Sequence, residues 1–223
     1  MDIKDQTKQY AAMLENAQKA AERASKRKGE LVRHHLHPAL VVSNFLLHRQ
    51  PPAADSENQF KLFTTQVPAP YLPCTVPVSE LRPIMISDMR LETHHRGCRA
   101  TFRVITPPSR IVALLVVIED EKGTAVPLQI YHQPKQSVVP AEEVLRTGIC
   151  IVKEPFFKCS MDGSYTVRVD HVSDIVWLEK DDDRVPQKWR TSAVTLSAGD
   201  SARTRQQGNE AVKYEKWAEA ERL

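Results

Sequence analysis

The 223 residues carry 31 Lys and Arg against 28 Asp and Glu, a net charge of +3 that does not by itself announce a nucleic-acid binder. Cys74, Cys98, Cys150 and Cys159 are scattered, with no CxxC and no Cys/His pairs at zinc spacing, so free thiols in a reducing compartment are expected. The N-terminus is polar, and no apolar run approaches the roughly 20 residues of a membrane span. The expectation is a soluble chain of the cytoplasm or nucleus, without a membrane partner.

Residues 1–50 hold nine Lys and Arg against five Asp and Glu and read as a basic helical arm. Between about residues 4 and 36 there is no proline and only Gly29, with many Ala, Glu, Lys and Gln, which favours helix. Tyr10, Leu14, Ala17, Ala21 and Ala24 form a thin apolar stripe, with Lys26-Arg27-Lys28 on solvent. His34 and His37 share a helix face, but no third ligand stands at a useful spacing, so these residues and His35 read as a polar helix end. Residues 51–83 contain seven of the fifteen prolines and read as an extended linker lying along a neighbouring surface.

From residue 84 to 180 the pattern turns to strands. Residues 100–105 are strand-like, Pro107-Pro108 supplies a turn, and 111–118 form an aliphatic run expected as one buried strand. A polar hairpin at 119–123 leads into an alternating strand at 124–131. Residues 140–146 read as a short helix with Pro140 near its first turn and Gly148 near its end. A strand at 148–158, a hairpin at Asp162-Gly163, a strand at 165–170 and a closing piece at 175–178 follow. Three strands, a short helix, then two strands and a closing piece fit an OB-like barrel; a β-sandwich or an SH3-like barrel shares most of these signals. The fold class is therefore α+β, an OB-like β domain flanked by helical ends.

Residues 181–199, with Asp181-Asp182-Asp183 and a Ser/Thr-rich stretch, read as a linker, and 200–223 as helix. Within that helix Gly208, Trp217 and Ala220 stand at the small and turn-packing positions of a tetratricopeptide repeat (TPR), so 200–223 would be an incomplete first TPR. The 34-residue repeat needs about a dozen more residues than Leu223 allows. Either the chain is a fragment or this end docks elsewhere. Arg205 and Asn209 share one side of that helix and are candidates for gripping a peptide carboxylate.

The strings PIMISDMRLETHHRG (83–97), VVIEDEKGTAVPLQIYHQ (116–133) and GICIVKEPFFKCSMDGSYTVRVDHVSDIVWL (148–178), followed by the repeat start, resemble a group of fungal proteins. Those proteins carry this N-terminal region, then TPRs, then a SET lysine-methyltransferase domain. The resemblance implies a non-catalytic interaction or scaffold region, with protein partners through the TPR region. The Asn-His-Ser-Cys and Gly-Glu-Glu motifs by which SET domains hold S-adenosylmethionine and build their active site are absent from this sequence. Neither a catalytic residue nor a cofactor or metal site is therefore assigned to the chain, which reads as no enzyme by itself.

The alternative function is single-stranded nucleic-acid binding through the barrel face, where Phe102, Arg103, Lys158 and Arg168 could offer aromatic stacking inside a basic groove. Against it, aromatics in small barrels are usually core. His94-His95-Arg96-Gly97 is a further loop candidate for binding.

Overall fold

Hydrophobic alternation draws the middle of the chain into one mixed sheet. A computed structural model describes residues 3–47, 69–110, 112–133, 138–160 and 163–190. The chain divides into two compact units, 1–185 and 186–223. The second is described over 186–190, where the short helix α4 (Gln187–Arg190) sets the Lys188 ammonium 5.6 Å from the Trp189 ring.

The first unit begins with helix α1 (Ile3–Lys26), which ends earlier than the sequence pattern predicts. Gly29 takes φ +80°, a conformation that glycine adopts without a Cβ penalty, and the chain leaves the helix there. Tertiary bonds hold this exit: Gly29 N–H donates to Leu91 O at 2.8 Å, and Leu91 N–H donates to Glu30 O at 2.9 Å. Arg27 is not simply solvated, since its guanidinium makes a two-pronged pair with Glu30 at 2.7 and 2.8 Å. A second helix, α2 (Pro38–Leu47), lies within the arm expected as helical and is separate from the first. Proline is well suited to a first helical turn, and the His37 ring caps it, with Nδ1 accepting the Ala39 N–H at 3.3 Å.

Ten strands follow among the described residues: β1 (Arg82–Pro83), β2 (Thr93–His94), β3 (Cys98–Val104), β4 (Ser109–Arg110), β5 (Leu114–Glu119), β6 (Ala125–Ile130), β7 (Ile149–Lys153), β8 (Phe156–Cys159), β9 (Tyr165–Val169) and β10 (Ile175–Trp177), with helix α3 (Ala141–Leu145) between β6 and β7. The hydrogen-bonded path runs β10-β7-β3-β5-β6-β9-β8-β2 and is open, with β1 added to β3 and β4 to β5. Most pairs are antiparallel; β6 with β9 and β1 with β3 are parallel.

Two expected strands are divided. The aliphatic run at 111–118 becomes a strand only at Leu114, because β4 folds back on β5 and the chain must reverse between them. The expected strand at 148–158 breaks at Glu154-Pro155, where Glu154 takes φ +46°. Its first half, β7, pairs with β3, and its second half, β8, pairs with β9. The bend is held from outside: the Glu154 carboxylate accepts the Gly97 N–H at 2.8 Å and pairs with Arg96.

The core between these strands is apolar, with Phe102, Leu114, Val116, Ile118, Leu128, Ile130, Phe157 and Val167 fully buried. The polar hairpin after β5 also turns inward. Asp120 is buried, and its carboxylate accepts the N–H groups of Ile86, Lys122 and Thr124 at 2.9–3.0 Å.

Part of the sheet's outer side is covered by the chain's own N-terminal part. Helix α2 contacts β5 and β6. Its half-buried residues Pro38, Val41, Val42 and Phe45 make one stripe and are not part of the core, so the helix lies on the outer face of those strands. Residues 69–77, expected as linker, are bonded to Arg168 of β9, to Asp170, His171 and Asp174 just after it, and to Lys153 of β7.

Candidate functional site

Alternation along β9 sends Val167 and Val169 into the core and sets Thr166, Arg168 and Asp170 on the opposite face. Arg168 and Asp170 pair through two parallel bonds, Nε to Oδ1 and Nη2 to Oδ2, both 2.7 Å. Their side chains are 6% and 0% exposed. The Arg168 guanidinium also stands 5.2 Å from the centre of the Tyr131 ring and donates to Ala69 O at 3.3 Å.

Residues 69–77 lie over this pair. Tyr71 N–H donates to Asp170 Oδ2 at 3.1 Å, and the Tyr71 hydroxyl oxygen accepts the Asp170 N–H at 3.0 Å. The His171 Nε2–H donates to Tyr71 O. Three residues on, Cys74 N–H donates to Asp174 Oδ1 at 2.9 Å and Cys74 O accepts from Lys153 Nζ at 2.8 Å. The Tyr71 ring meets His94 edge-on at 4.4 Å and His171 at 5.6 Å. Burial pushes the Tyr71 phenol upward, so it remains a protonated hydroxyl. Asp174 is 1% exposed, and burial raises its carboxyl above the ordinary 3.8 despite the Cys74 hydrogen bond.

Three histidines are held neutral. His95 Nε2 accepts the Arg90 N–H at 2.9 Å and its Nδ1 faces Pro155 O at 3.1 Å, which puts the proton on Nδ1. Burial lowers His95 below the ordinary 6.5, and it does the same for His94 and His35. Below pH 6.5 the unfolded chain therefore binds more protons at these rings than the folded chain does. Stability rises with pH through this window and is lost as pH falls below the unfolded value. The urea midpoint is expected to drop between about pH 7 and about pH 5.5, before most carboxylates titrate. A flat midpoint over that range would mean that the rings take up protons in place.

The barrel-face candidates come apart. Phe102 is wholly buried in the core and cannot stack a base, because its strand turns that face inward. Arg168 is buried against Asp170 rather than lining an open groove. Arg103 is half-buried and engaged by Glu119 across the β3–β5 pair. Lys158 is half-buried beside Arg168, and burial together with that guanidinium lowers its pKa. Of the loop candidates, His94 packs on Tyr71 of the strap formed by residues 69–77. Arg96 both pairs with Glu154 and donates to Leu72 O of that strap at 3.4 Å, while His95 bonds to Pro155 and Arg90 instead. His34, His35 and His37 do not converge: His35 packs edge-on against Tyr165 at 5.5 Å and His37 caps α2. Gly208, Trp217, Ala220, Arg205 and Asn209 lie outside the described residues.

Tyr71, Asp170, His171, Asp174 and Lys153 escaped the sequence reading. The available signal was the spacing Pro70-Tyr71-Leu72-Pro73-Cys74, in which the prolines leave only selected amides free to donate.

Other chemistry finds little support. Among the described residues no group of three or more His, Cys, Asp or Glu is placed to hold a metal ion, and no helix is long and apolar enough to cross a membrane. The four cysteines are free thiols, and burial pushes Cys150 up to about 12. A cavity of about 180 Å³ is lined by Pro83, Ile84, Met85, Arg99, Thr101, Glu121 and Arg184. That is well below the roughly 300 Å³ at which small-molecule sites begin, so it does not fit a cofactor the size of S-adenosylmethionine.

No family model matches the chain. Over 226 aligned residues, the whole of this chain, it is 49% identical to a protein of Gibberella zeae named methyltransferase. The chain spans 29% of that relative's length.

Proposed function

We propose that this chain is a non-catalytic interaction region of a methyltransferase protein of the TPR and SET type, and that it positions protein partners for a methyl-transfer domain elsewhere in the longer polypeptide. The carrying observation is the 49% identity along the whole chain to only 29% of a fungal methyltransferase. The cavity of about 180 Å³ among the described residues is too small for the methyl donor, which is consistent with a binding role.

An OB-like barrel remains the architecture we propose for residues 84–180. The strand neighbours support it: β3 with β5, β5 with β6, β6 parallel to β9, β9 with β8, and β7 back to β3. Strands β7 and β8 are consecutive, so the ring of neighbours returns through the backbone at Glu154-Pro155, while the hydrogen-bonded path itself is open. Helix α3 lies between the third and fourth members, as in that fold. The nucleic-acid alternative has less support in this arrangement. OB-folds bind oligonucleotides on the face of their second and third strands, here β5 and β6, and α2 covers it.

The test compares the isolated chain with the natural full-length protein. The isolated chain is expected to show no S-adenosylmethionine binding by calorimetry. Deleting residues 69–185 from the full-length protein is expected to preserve labelling by the methyl donor and to reduce methylation of its protein substrates at least about tenfold. Donor binding by the isolated chain, or loss of donor labelling in the deletion, would overturn the proposal.

A further inference from the structure

Residues 69–77 read Ala-Pro-Tyr-Leu-Pro-Cys-Thr-Val-Pro. Prolines at 70, 73 and 77 fix φ near the polyproline II value, and Pro77 stands at φ −60°, ψ 145° in that basin. Polyproline II has three residues per turn, so positions three apart share a face. Tyr71 and Cys74 are three apart, and both are turned toward the sheet. Each is clamped in the same way. One carboxylate takes the N–H (Asp170 for Tyr71, Asp174 for Cys74), and one cationic or imidazole donor serves the C=O (His171 for Tyr71, Lys153 for Cys74).

The residues between them face away. Leu72 is 80% exposed, and Pro73 and Thr75 are exposed as well. The groove thus holds the main chain of an extended segment, with paired N–H and C=O clamps three residues apart. Single bonds run from Arg168 to Ala69 O at 3.3 Å and from Arg96 to Leu72 O at 3.4 Å. A single aromatic anchor, Tyr71, fills the niche beside His94 and His171. Main-chain reading of a stiff, pre-extended peptide is a recurring mode of protein recognition. Capacity is also left over: the buried Asp174 Oδ2 has no partner among the described residues.

We propose that the groove built by Lys153, Asp170, His171 and Asp174 is a recognition site for a polyproline II peptide with an aromatic residue three positions before a small one, and that residues 69–77 occupy it in cis. A proline-rich segment of a partner protein takes the same groove in trans when the chain's own segment lifts. This deepens the interaction-region reading and rests on it by naming the partner's chemistry.

Two measurements test the site. In hydrogen exchange on the intact chain, the amides of Tyr71 and Cys74 are expected to exchange by local opening, ahead of the amides of Val116 and Leu128 in the core strands. In fluorescence anisotropy under reducing conditions, a labelled synthetic peptide of sequence 69–77 is expected to bind the Tyr71→Ala chain at least tenfold more tightly than the unaltered chain. The same peptide with alanine for tyrosine is expected not to bind, and adding Asp174→Asn to the Tyr71→Ala chain is expected to weaken the complex about tenfold, the loss of one charge-assisted clamp. Exchange of Tyr71 and Cys74 in step with Val116 and Leu128 overturns the proposal, as does failure of the peptide to bind a folded Tyr71→Ala chain. If that variant does not fold, the exchange result on the unaltered chain decides alone. The methyl-donor experiments do not depend on this groove, so the failure of one reading is distinguishable from failure of the other.

Discussion

Replacing Arg168 with alanine is expected to lower the unfolding free energy by about 3–5 kcal/mol, the cost of leaving a buried charge without its partner. Asp170 is 0% exposed, and of its carboxylate contacts two come from Arg168 and one from the Tyr71 N–H. With Arg168 gone, the carboxylate must stay charged in a dry site, take up a proton, or admit water by lifting the strap. Each of these costs free energy, and the last also releases Ala69 and Tyr71. Arg103→Ala is the matched control: its pair with Glu119 is half-exposed, and such pairs contribute about 1 kcal/mol or less. Urea unfolding of both variants reads the contrast. If Arg168→Ala falls within about 1 kcal/mol of the unaltered chain, the pair is open to water and the strap contributes little.

Phe102→Ala should be equally severe, at about 3–5 kcal/mol. Phe102 lies on β3, opposite Cys150 of β7, and is fully buried within the core cluster. Truncation removes an aromatic ring and leaves a cavity that the surrounding strands close only in part. The measurement separates two roles for this residue. A core position lowers the midpoint of thermal and urea unfolding together, whereas a stacking position on an open face leaves both near the unaltered values. A stable Phe102→Ala chain would restore the barrel-face reading.

Strand positions were legible wherever apolar residues alternate over a half-buried surface. Residues 124–131 and 165–170 show this, and their observed strands end within a residue of the expectation. The short helix at 140–146 was legible from its proline start and glycine stop. Inside the helical arm the separate start of α2 at Pro38 is not legible, although the uncharged run after it is helix-compatible. Its lack of charge makes sense once its inner stripe is seen to rest on β5 and β6.

The candidate site was far less legible. Arg168 looks like any surface arginine of an alternating strand. Its burial depends on Asp170 two residues away and on Ala69, ninety-nine positions earlier in the chain. The break between β7 and β8 is similar: Glu154 reaches a left-handed backbone conformation because Gly97 and Arg96 hold its carboxylate. The proline spacing at 70 and 73 announced an extended segment, but not the surface on which it lies.

Local physics, then, was written in the chain order: period-two apolar patterning places the strands, and proline and glycine punctuate them. Which polar residues are buried, where a strand bends and which face stays open were decided by partners distant in sequence. Burial and charge pairing are properties of the assembled surface, so residue type alone could not assign them.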